Sequence, residues 1–188
     1  MMKDGGPLAA DAVTCDVFTR REGMLSAAGH DLRVRATRAM WTVDAARGEL
    51  RATIEAAGLR VACAVRGGRD DPDALTAGDR EKIDRALHDE VLEARRFPRV
   101  EVQATFARDG DRATVRGRVT LHGVDGPFEA VARRDGGWWE ASCALDQTAF
   151  GIRPFTAMLG ALKVGRVLEV RVRLRWEPSA LQAVDPGG

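Results

Sequence analysis

His30 and Asp31 are the residues best suited to acid–base chemistry, because a histidine beside a carboxylate is a common catalytic pairing. Adjacent residues of an extended strand point to opposite faces, so these two side chains cannot readily hydrogen-bond to each other. Gly29 precedes them and indicates a turn or a bulge. Two interpretations follow: one of the pair satisfies backbone groups at the bend, or it contacts a polar ligand group at the edge of a binding site.

Other residue types that support catalysis or metal binding are scattered along the chain. No serine lies in a G-x-S-x-G motif, and the histidines lie on separate elements without H-E-x-x-H spacing. The serines are Ser26, Ser142 and Ser179, and the histidines are His30, His88 and His122. We therefore predict no catalytic residue, no metal site and no enzyme cofactor.

The charges of the chain nearly cancel: 29 Lys and Arg face 28 Asp and Glu in 188 residues, a net charge of +1. This balance argues against a nucleic-acid partner and against an anionic membrane surface. The N-terminus lacks the apolar run of a secretory signal, and no stretch approaches the roughly 20 apolar residues that span a bilayer. Cys15, Cys63 and Cys143 are too far apart for a C-x-x-C pair, which disfavours a disulfide scaffold and a zinc site. We predict a soluble, cytoplasmic protein.

Alternation of apolar and polar residues dominates the chain and predicts β-strands. In the clearest run Leu168, Val170, Val172, Leu174 and Trp176 share one face, and charged residues occupy the other. Roughly nine strands separated by short turns favour an antiparallel barrel or sandwich. The other alternating runs lie at 13–19, 32–43, 50–56, 59–65, 99–106, 113–121, 128–132 and 139–145.

One of these runs changes phase partway. Its apolar residues occupy even positions from 32 to 36 and odd positions from 39 to 43. A slip of one residue is typical of a β-bulge, which bends a strand. We therefore predict one long, bent strand here.

The segment 76–96 departs from alternation and predicts a helix. Thr76 suits the N-cap position, and Pro98 is expected to end the helix. His88 in the middle favours a break into two short helices. The apolar residues at near-helical spacing are Ile83, Leu87, Val91 and Ala94.

One-sided alternation around many strands predicts a closed sheet. An eight-stranded barrel is just wide enough to be filled by side chains or to hold one ligand. Many of the predicted inward residues are small, and an apolar void without a guest loses packing contacts. We therefore predict an apolar ligand cavity; the alternative is a core filled by the larger side chains. The candidate lining residues are Ala36, Trp41, Ala104, Phe106, Trp139, Ala141 and Cys143.

The segment from Phe150 to Val164 is unusually apolar for a link between two strands. Pro154 is expected to start a helical turn that carries apolar residues on one side. The segment is either a plug that closes one end of the barrel or a lid that contacts a ligand. In the second case Arg153 and Lys163, with His30 at the mouth, are candidates to bind a polar or anionic headgroup. The apolar candidates of this segment are Phe150, Phe155, Met158, Leu159 and Leu162.

Several segments resemble the YceI-like, polyisoprenoid-binding family in their order and spacing. They are Ser26-Ala-Ala-Gly-His-Asp-Leu32, Arg96-Phe-Pro-Arg-Val-Glu-Val102, Val115-Arg-Gly-Arg-Val-Thr-Leu-His-Gly-Val124 with the following Pro127, and Ala149-Phe-Gly-Ile152. The resemblance runs from about Val13 to Glu177. We therefore expect one barrel domain at 13–177, with a flexible N-terminus at 1–12 and a flexible tail at 178–188.

The resemblance implies a lipocalin-like antiparallel barrel with an inserted helix. It further implies that the barrel holds an isoprenoid or other long-chain lipid, in binding, storage or transport without catalysis, and it makes a homodimer plausible. Two features depart from the family: many relatives carry an export signal, and Gln147-Thr-Ala-Phe150 stands where an Arg often precedes D/S-F-G. Two alternatives stay open. One is an enzyme acting on a lipid-like substrate through His30, Asp31 or Arg153, and the other is a filled barrel that binds a protein through its Arg-rich outer faces.

Overall fold

The computed structural model describes residues 5–23, 30–157, 159 and 161–175. Most of the regular structure in these residues is β-strand, because alternating sequences turn one apolar face to the interior. The α-helix of the described residues, α1, spans Ala77–Ala86 and continues into a π-helical turn at Leu87–Val91. The strands are β1 (Gly5–Pro7), β2 (Val13–Phe18), β3 (Arg21–Glu22), β4 (Asp31–Ala36), β5 (Ala39–Asp44), β6 (Glu49–Glu55), β7 (Leu59–Arg66), β8 (Arg69–Asp71), β9 (Arg99–Asp109), β10 (Arg112–Leu121), β11 (Val124–Asp135), β12 (Trp138–Asp146), β13 (Thr156–Ala157), β14 (Leu162–Val164) and β15 (Val167–Leu174).

Most of these strands belong to one antiparallel sheet. Within the described part of the chain its order is β1-β5-β6-β9-β10-β11-β12-β15-β2-β4-β7-β8, twelve strands in all, and β13-β14-β3 form a separate small sheet. The prediction of an all-β fold with a small helical insertion and an antiparallel curled sheet is therefore confirmed. The predicted number of eight strands is not confirmed by this pairing order.

The sheet curls because one kinked hairpin takes part in both of its ends. Only Thr37 and Arg38 separate β4 from β5, and only the turn Ala56–Gly58 separates β6 from β7. Hydrogen bonds cross the kink: the Thr37 N–H and hydroxyl donate to the Gly58 carbonyl oxygen at 2.9 and 2.7 Å. The β5–β6 half pairs with β9, whereas the β4–β7 half pairs with β2. The hairpin therefore connects the two ends of the sheet order.

The predicted phase change of the long strand is confirmed and falls at this kink. Val34 is buried in β4, and Trp41 and Val43 are buried in β5. Gly58 allows the sharp bend, because a Cβ on it would lie 2.8 Å from the Cβ of Arg38.

A second slip lies in β7 and was missed. Arg33 is opposite Cys63 while Val34 is opposite Val61, so Ala62 is an extra residue without a partner, as in a β-bulge. Beyond it the alternation predicted for 59–65 is wrong. Ala64 packs against Val34 and Val61 in the core, whereas Cys63 is opposite Arg33 on the other face.

Helix α1 begins as the sequence predicts and ends earlier. The Thr76 hydroxyl accepts from the Asp79 N–H at 3.1 Å, and the Asp79 carboxylate accepts from the Thr76 N–H at 3.1 Å, which is a capping box. The prediction that Pro98 ends the helix is wrong, because Glu93 adopts a left-handed φ of +44° and reverses the chain. His88 does not separate two helices; it lies in the π-helical turn, and its Nε2 is 2.7 Å from the Leu59 carbonyl oxygen.

The apolar side chains form a core in three clusters along the curled sheet. A central cluster includes Trp41, Ile54 and Phe150; a second, under the helix, joins Val34 and Val61 to Leu75 and Ile83; a third, at the far end, joins Trp139 to Ala113 and Ala132. Leu59 and Leu87 pack against both of the first two clusters. Burying each large side chain contributes about 1.5–3 kcal/mol, so the helix is held over one end of the sheet by its apolar face.

Part of the N-terminal segment is paired with the sheet. Residues 5–7 form β1, which pairs with β5, and Leu8 packs against the central cluster while its N–H donates to the Trp41 carbonyl oxygen at 2.8 Å. The predicted flexible tail at 178–188 lies outside the described residues, as does Trp176. In the described part of the chain, no helix has the length and apolar character needed to cross a membrane.

Candidate functional site

The inner face of the central strands is apolar and only partly shielded from solvent. Val102, Val170 and Val172 are half-buried although they lie in mid-strand and pack against the central cluster. Phe128 and Leu145 share both properties. In a close-packed interior such positions are sealed by facing side chains. The inner face of the curled sheet therefore leaves apolar surface partly exposed to solvent.

The small inward residues divide into two groups with different causes. Ala104 is only 7% exposed, and a Cβ on Gly117 would lie 2.7 Å from the Ala104 Cβ. These two residues are small because β9 and β10 approach closely there. Ala130, Ala141 and Cys143 on β11 and β12 are instead half-buried. The half-buried small residues therefore lie on β11 and β12, whereas Ala104 is buried where β9 and β10 approach closely.

The large aromatic candidates lie in the core clusters. Trp41 and Phe150 belong to the central cluster and Trp139 to the far one, each 6–7% exposed. Ala36 packs against the central cluster, and Phe106 on β9 is half-buried. The three buried aromatic residues therefore belong to the packed core, whereas Ala36 and Phe106 stay half-buried.

Two of the thiols face the interior and are not ionised at neutral pH. Burial, aided by the neighbouring Asp16 carboxylate, raises the pKa of Cys15 from 9.0 to about 12. Burial also raises the pKa of Cys143. Because the thiolate is the nucleophilic form, these cysteines behave as small apolar wall residues.

The helical turn predicted after Pro154 is wrong. The chain forms β13 and β14 there, and β14 pairs with β3, so that Glu22 is opposite Lys163. Backbone hydrogen bonds fix this arrangement: Val164 donates to the Phe155 carbonyl oxygen at 2.9 Å. Pairing with the edge of β3 satisfies backbone groups that an isolated helical turn would leave open.

The apolar candidates of this segment do not form one common face. Phe150 is buried and Phe155 is half-buried, but Leu159 is fully exposed with a left-handed φ of +56°. Met158 lies outside the described residues, as does the side chain of Leu162.

The polar candidates lie at the helix-covered end of the sheet. Asp31 Oδ1 accepts from the Arg21 N–H at 2.8 Å, so Asp31 satisfies a backbone group at the bend, in agreement with the first interpretation of this pair. His30 is half-buried and lies close enough to Asp79 to add to the lowering of the pKa of that carboxyl, which Thr76 lowers most through its hydrogen bond. Arg153 and Lys163 are exposed.

Two residues that the sequence analysis missed position the segment after β12. Gln147 is 3% exposed and donates through Nε2 to the Gly165 carbonyl oxygen at 2.8 Å, which holds the turn Gln147–Phe150 in place. Gly126 accepts the Phe150 ring, since a Cβ on it would lie 2.8 Å from Phe150 Cζ. The sequence signal that could have indicated this contact is a glycine directly before Pro127 in an alternating run.

A curled antiparallel sheet with a helix over one end and apolar surface inside is the architecture on which the comparisons with known proteins converge. The chain belongs to the YceI-like domain family, whose model matches residues 13–176. The family predicted from the sequence is therefore confirmed. No curated protein matches the chain.

Solved structures share this fold at low sequence identity. BcnA of Burkholderia cenocepacia superimposes with a TM-score of 0.60 at 14% identity, over 89% of this chain and 98% of that one. A Campylobacter jejuni YceI protein gives a TM-score of 0.46 at 14% identity, over 74% of this chain and 81% of that one. The first similarity supports the fold assigned above.

Proposed function

We propose that this protein binds the apolar chain of an isoprenoid or other long-chain lipid inside the curled sheet, for storage or transport and without catalysis. The observation that carries the proposal is the partial exposure of Val102, Val170 and Val172 on the inner face. Apolar surface that faces inward and stays open to solvent gains free energy when an apolar guest covers it.

The walls fit a barrel of the size that holds one ligand. If the two kinked pairs β4–β5 and β6–β7 are each taken as one bent strand, they join β2, β9, β10, β11, β12 and β15 as an eight-stranded lipocalin-like barrel. Barrels of this size are either filled by side chains or hold a single small ligand. The half-buried inner face favours a barrel that holds a ligand.

The energetics favour a long guest. Each buried CH₂ contributes about 0.8 kcal/mol. About ten buried carbons therefore contribute roughly 8 kcal/mol, against an association cost of at least about 4 kcal/mol. Tight binding then requires a longer chain, or headgroup contacts with exposed cations such as Arg153 and Lys163.

The inner surface offers little to catalysis. The inward residues identified above are apolar, apart from Cys15 and Cys143, whose raised pKa keeps them protonated. A lipid-directed enzyme needs a nucleophile, an acid or a base at the guest. Among the described residues, those identified on the inner face supply none of these at neutral pH.

The test is organic extraction of the freshly purified protein, followed by mass spectrometry of what co-elutes. We expect a polyprenyl or other long-chain species in near-stoichiometric amount. If the extract is empty and added farnesol or palmitate does not bind by calorimetry, the barrel is filled and the proposal is wrong. Conversion of a bound lipid during incubation would instead favour the enzyme.

A further inference from the structure

The wall of the curled sheet is split between β11 and β12. On its β10 side, β11 pairs along its whole length, from Arg133 to Val124. On its β12 side it pairs only from Asp135 to Val131, where Val131 is opposite Ser142. β12 itself continues, paired with β15, as far as Asp146. The facing edges of 124–130 and 143–146 therefore have no backbone ladder between them.

Pro127 fits this open edge. Proline has no N–H to donate, so strands tolerate it only where no neighbour requires that donor. Pro127 is opposite Arg118 on β10, and its other side faces the split. The same proline interrupts the row of backbone donors that an added β-strand from another chain would need, which disfavours a peptide as the occupant of the split.

Apolar side chains line the split on its inner side. Continuing the register beyond the last pair places Ala130 beside Cys143 and Phe128 beside Leu145. All four are half-buried, and Phe128 and Leu145 also pack against the central cluster. The enclosed apolar surface therefore continues into the split.

One buried aromatic ring packs against the β11 edge of this opening. Phe150 ends the turn that follows β12, and its ring lies directly on Gly126 of β11. The turn is fixed at its start, because Asp146 Oδ1 accepts from the Thr148 N–H at 3.0 Å and from the Thr148 hydroxyl at 2.6 Å. Contact between the two strands in this region therefore depends on a side chain and not on backbone hydrogen bonds.

We propose that the split between β11 and β12 is a side portal for the apolar chain of the lipid, with the Phe150 ring as its gate. This rests on the proposed function, since a portal requires a guest. Along the paired stretch from Asp135 to Val131, opening a gap means breaking several ladder hydrogen bonds at once, whereas beyond it a guest displaces only side chains, among them the Phe150 ring. Through this portal the chain enters lengthwise while its polar headgroup stays in water.

Paired cysteines test the portal directly. Glu129→Cys with Ala144→Cys joins the two outer edges across the split, and Val131→Cys with Ser142→Cys joins the same strands two residues away, inside the ladder. The probe is a dansyl-labelled long-chain fatty acid, and its transfer to phosphatidylcholine vesicles that carry a quencher gives the dissociation rate. We expect the oxidised bond across the split to slow transfer about tenfold, since such changes are expressed mainly in the dissociation rate. Reduction should restore the rate, and the ladder pair should leave it unchanged.

A second pair of variants does not depend on disulfide formation. Phe150→Ala removes the gate and should speed both uptake and release, with a smaller change in the equilibrium affinity. Ile152→Ala is the matched control: Ile152 is a buried neighbour in the same cluster, outside the split. A thermal melt of both variants confirms that they are folded.

The outcomes distinguish the proposed portal from the proposed lipid binding on which it rests. If the probe fails to bind the unmodified protein, the proposed function fails. If it binds but neither the bond across the split nor Phe150→Ala alters exchange, the portal is wrong and lipid binding stands. Equal slowing by both disulfides would show general stiffening and would also overturn the portal.

Discussion

Cys15 illustrates how burial decides the chemistry of a single residue. It lies on the inner face of β2 beside residues of the central cluster, and desolvation raises its pKa to about 12. The neighbouring residue, Asp16, lies on the opposite face and is only 8% exposed. Arg35 donates two hydrogen bonds to the Asp16 carboxylate, Nε to Oδ1 at 2.8 Å and Nη2 to Oδ2 at 2.7 Å. Two adjacent residues of one strand are therefore stabilised in opposite ways: the Cys15 thiol as a neutral buried group, and the Asp16 carboxylate by its ion pair with Arg35.

We expect the free energy of unfolding to fall as the pH rises above about 9. The folded-state pKa of Cys15 is raised above its ordinary value of 9.0, so between pH 9 and 12 the unfolded chain loses a proton that the folded chain keeps. The slope from this one group is about 1.4 kcal/mol per pH unit. Urea unfolding across this range measures it, and Cys15→Ala should show a shallower decline. Parallel curves for the two proteins would contradict the assignment.

Asp16→Asn should lower the free energy of unfolding by about 2 kcal/mol. The change removes the negative charge of a largely buried ion pair and leaves the Arg35 guanidinium one neutral acceptor in place of two charged ones. Arg35 is 40% exposed, so solvent reduces the loss below that of a fully buried pair. Glu49→Gln is the control, because its pair with Arg51 is exposed and should contribute less than about 0.5 kcal/mol. Equal losses in the two variants would refute the distinction.

At the scale of elements, the helical insertion is determined by local chemistry and held by long-range packing. The capping box of Thr76 and Asp79 starts α1, and Ile83 and Leu87 attach it to the clusters at one end of the sheet. Asp84 on the helix accepts from the Val61 N–H at 2.8 Å, which ties the helix to the bulged strand β7. The helix and the bulge therefore depend on each other.

Thr76→Ala should destabilise the helix by about 1 kcal/mol, the usual effect of losing an N-cap side chain. Amide hydrogen exchange of residues 77–86 measures this locally and should accelerate there before it does in the strands. The same variant should raise the pKa of Asp79, which the Thr76 hydroxyl now lowers. Because a lowered carboxyl pKa contributes stability that is lost on acidification, the helix of the unmodified protein should loosen as the pH falls below about 4. Uniform acceleration of exchange across the molecule would argue against a local cap.

At the scale of the whole molecule, function depends on whether the curled sheet is hollow. A larger residue at Ala104 would not test this, because the surroundings of Ala104 are already tightly packed. Ala141 is half-buried on the inner face and is the better position for such a substitution. The walls that matter for a guest are therefore those of β11 and β12, the strands that also form the split.

Ala141→Trp should abolish lipid retention while the protein stays folded, because the indole occupies the volume of the guest. Ser142→Trp is the matched control: it is the next residue of β12, it is exposed on the outer face, and it should retain lipid normally. The measurement is the amount of extracted lipid per protein, with circular dichroism to confirm the fold. Full retention in both variants would place the lipid outside the sheet.

Much of this architecture could be predicted from the sequence, because alternation and capping are local. The inward faces of β9, β10 and β15, the start of α1 at Thr76 and the phase change near position 37 all depend on residues close together in the chain. The helical turn after Pro154 was predicted wrongly because the structure of this segment depends on residues far away in the chain. Its apolar spacing suits a helix, but the edge of β3, far away in sequence, offers hydrogen bonds that convert it to strand.

The sequence by itself therefore determined the family, the all-β class and the inward face of most strands, since a period of two residues separates the faces whatever the partner; β7 beyond its bulge is the exception. The tertiary structure alone decided where pairing stops. The register between β11 and β12 depends on contacts between residues that no local pattern connects, and so does the seating of Phe150 on Gly126. The small residues of β11 and β12 indicated spare volume, but only the tertiary structure showed where the ladder between these two strands ends.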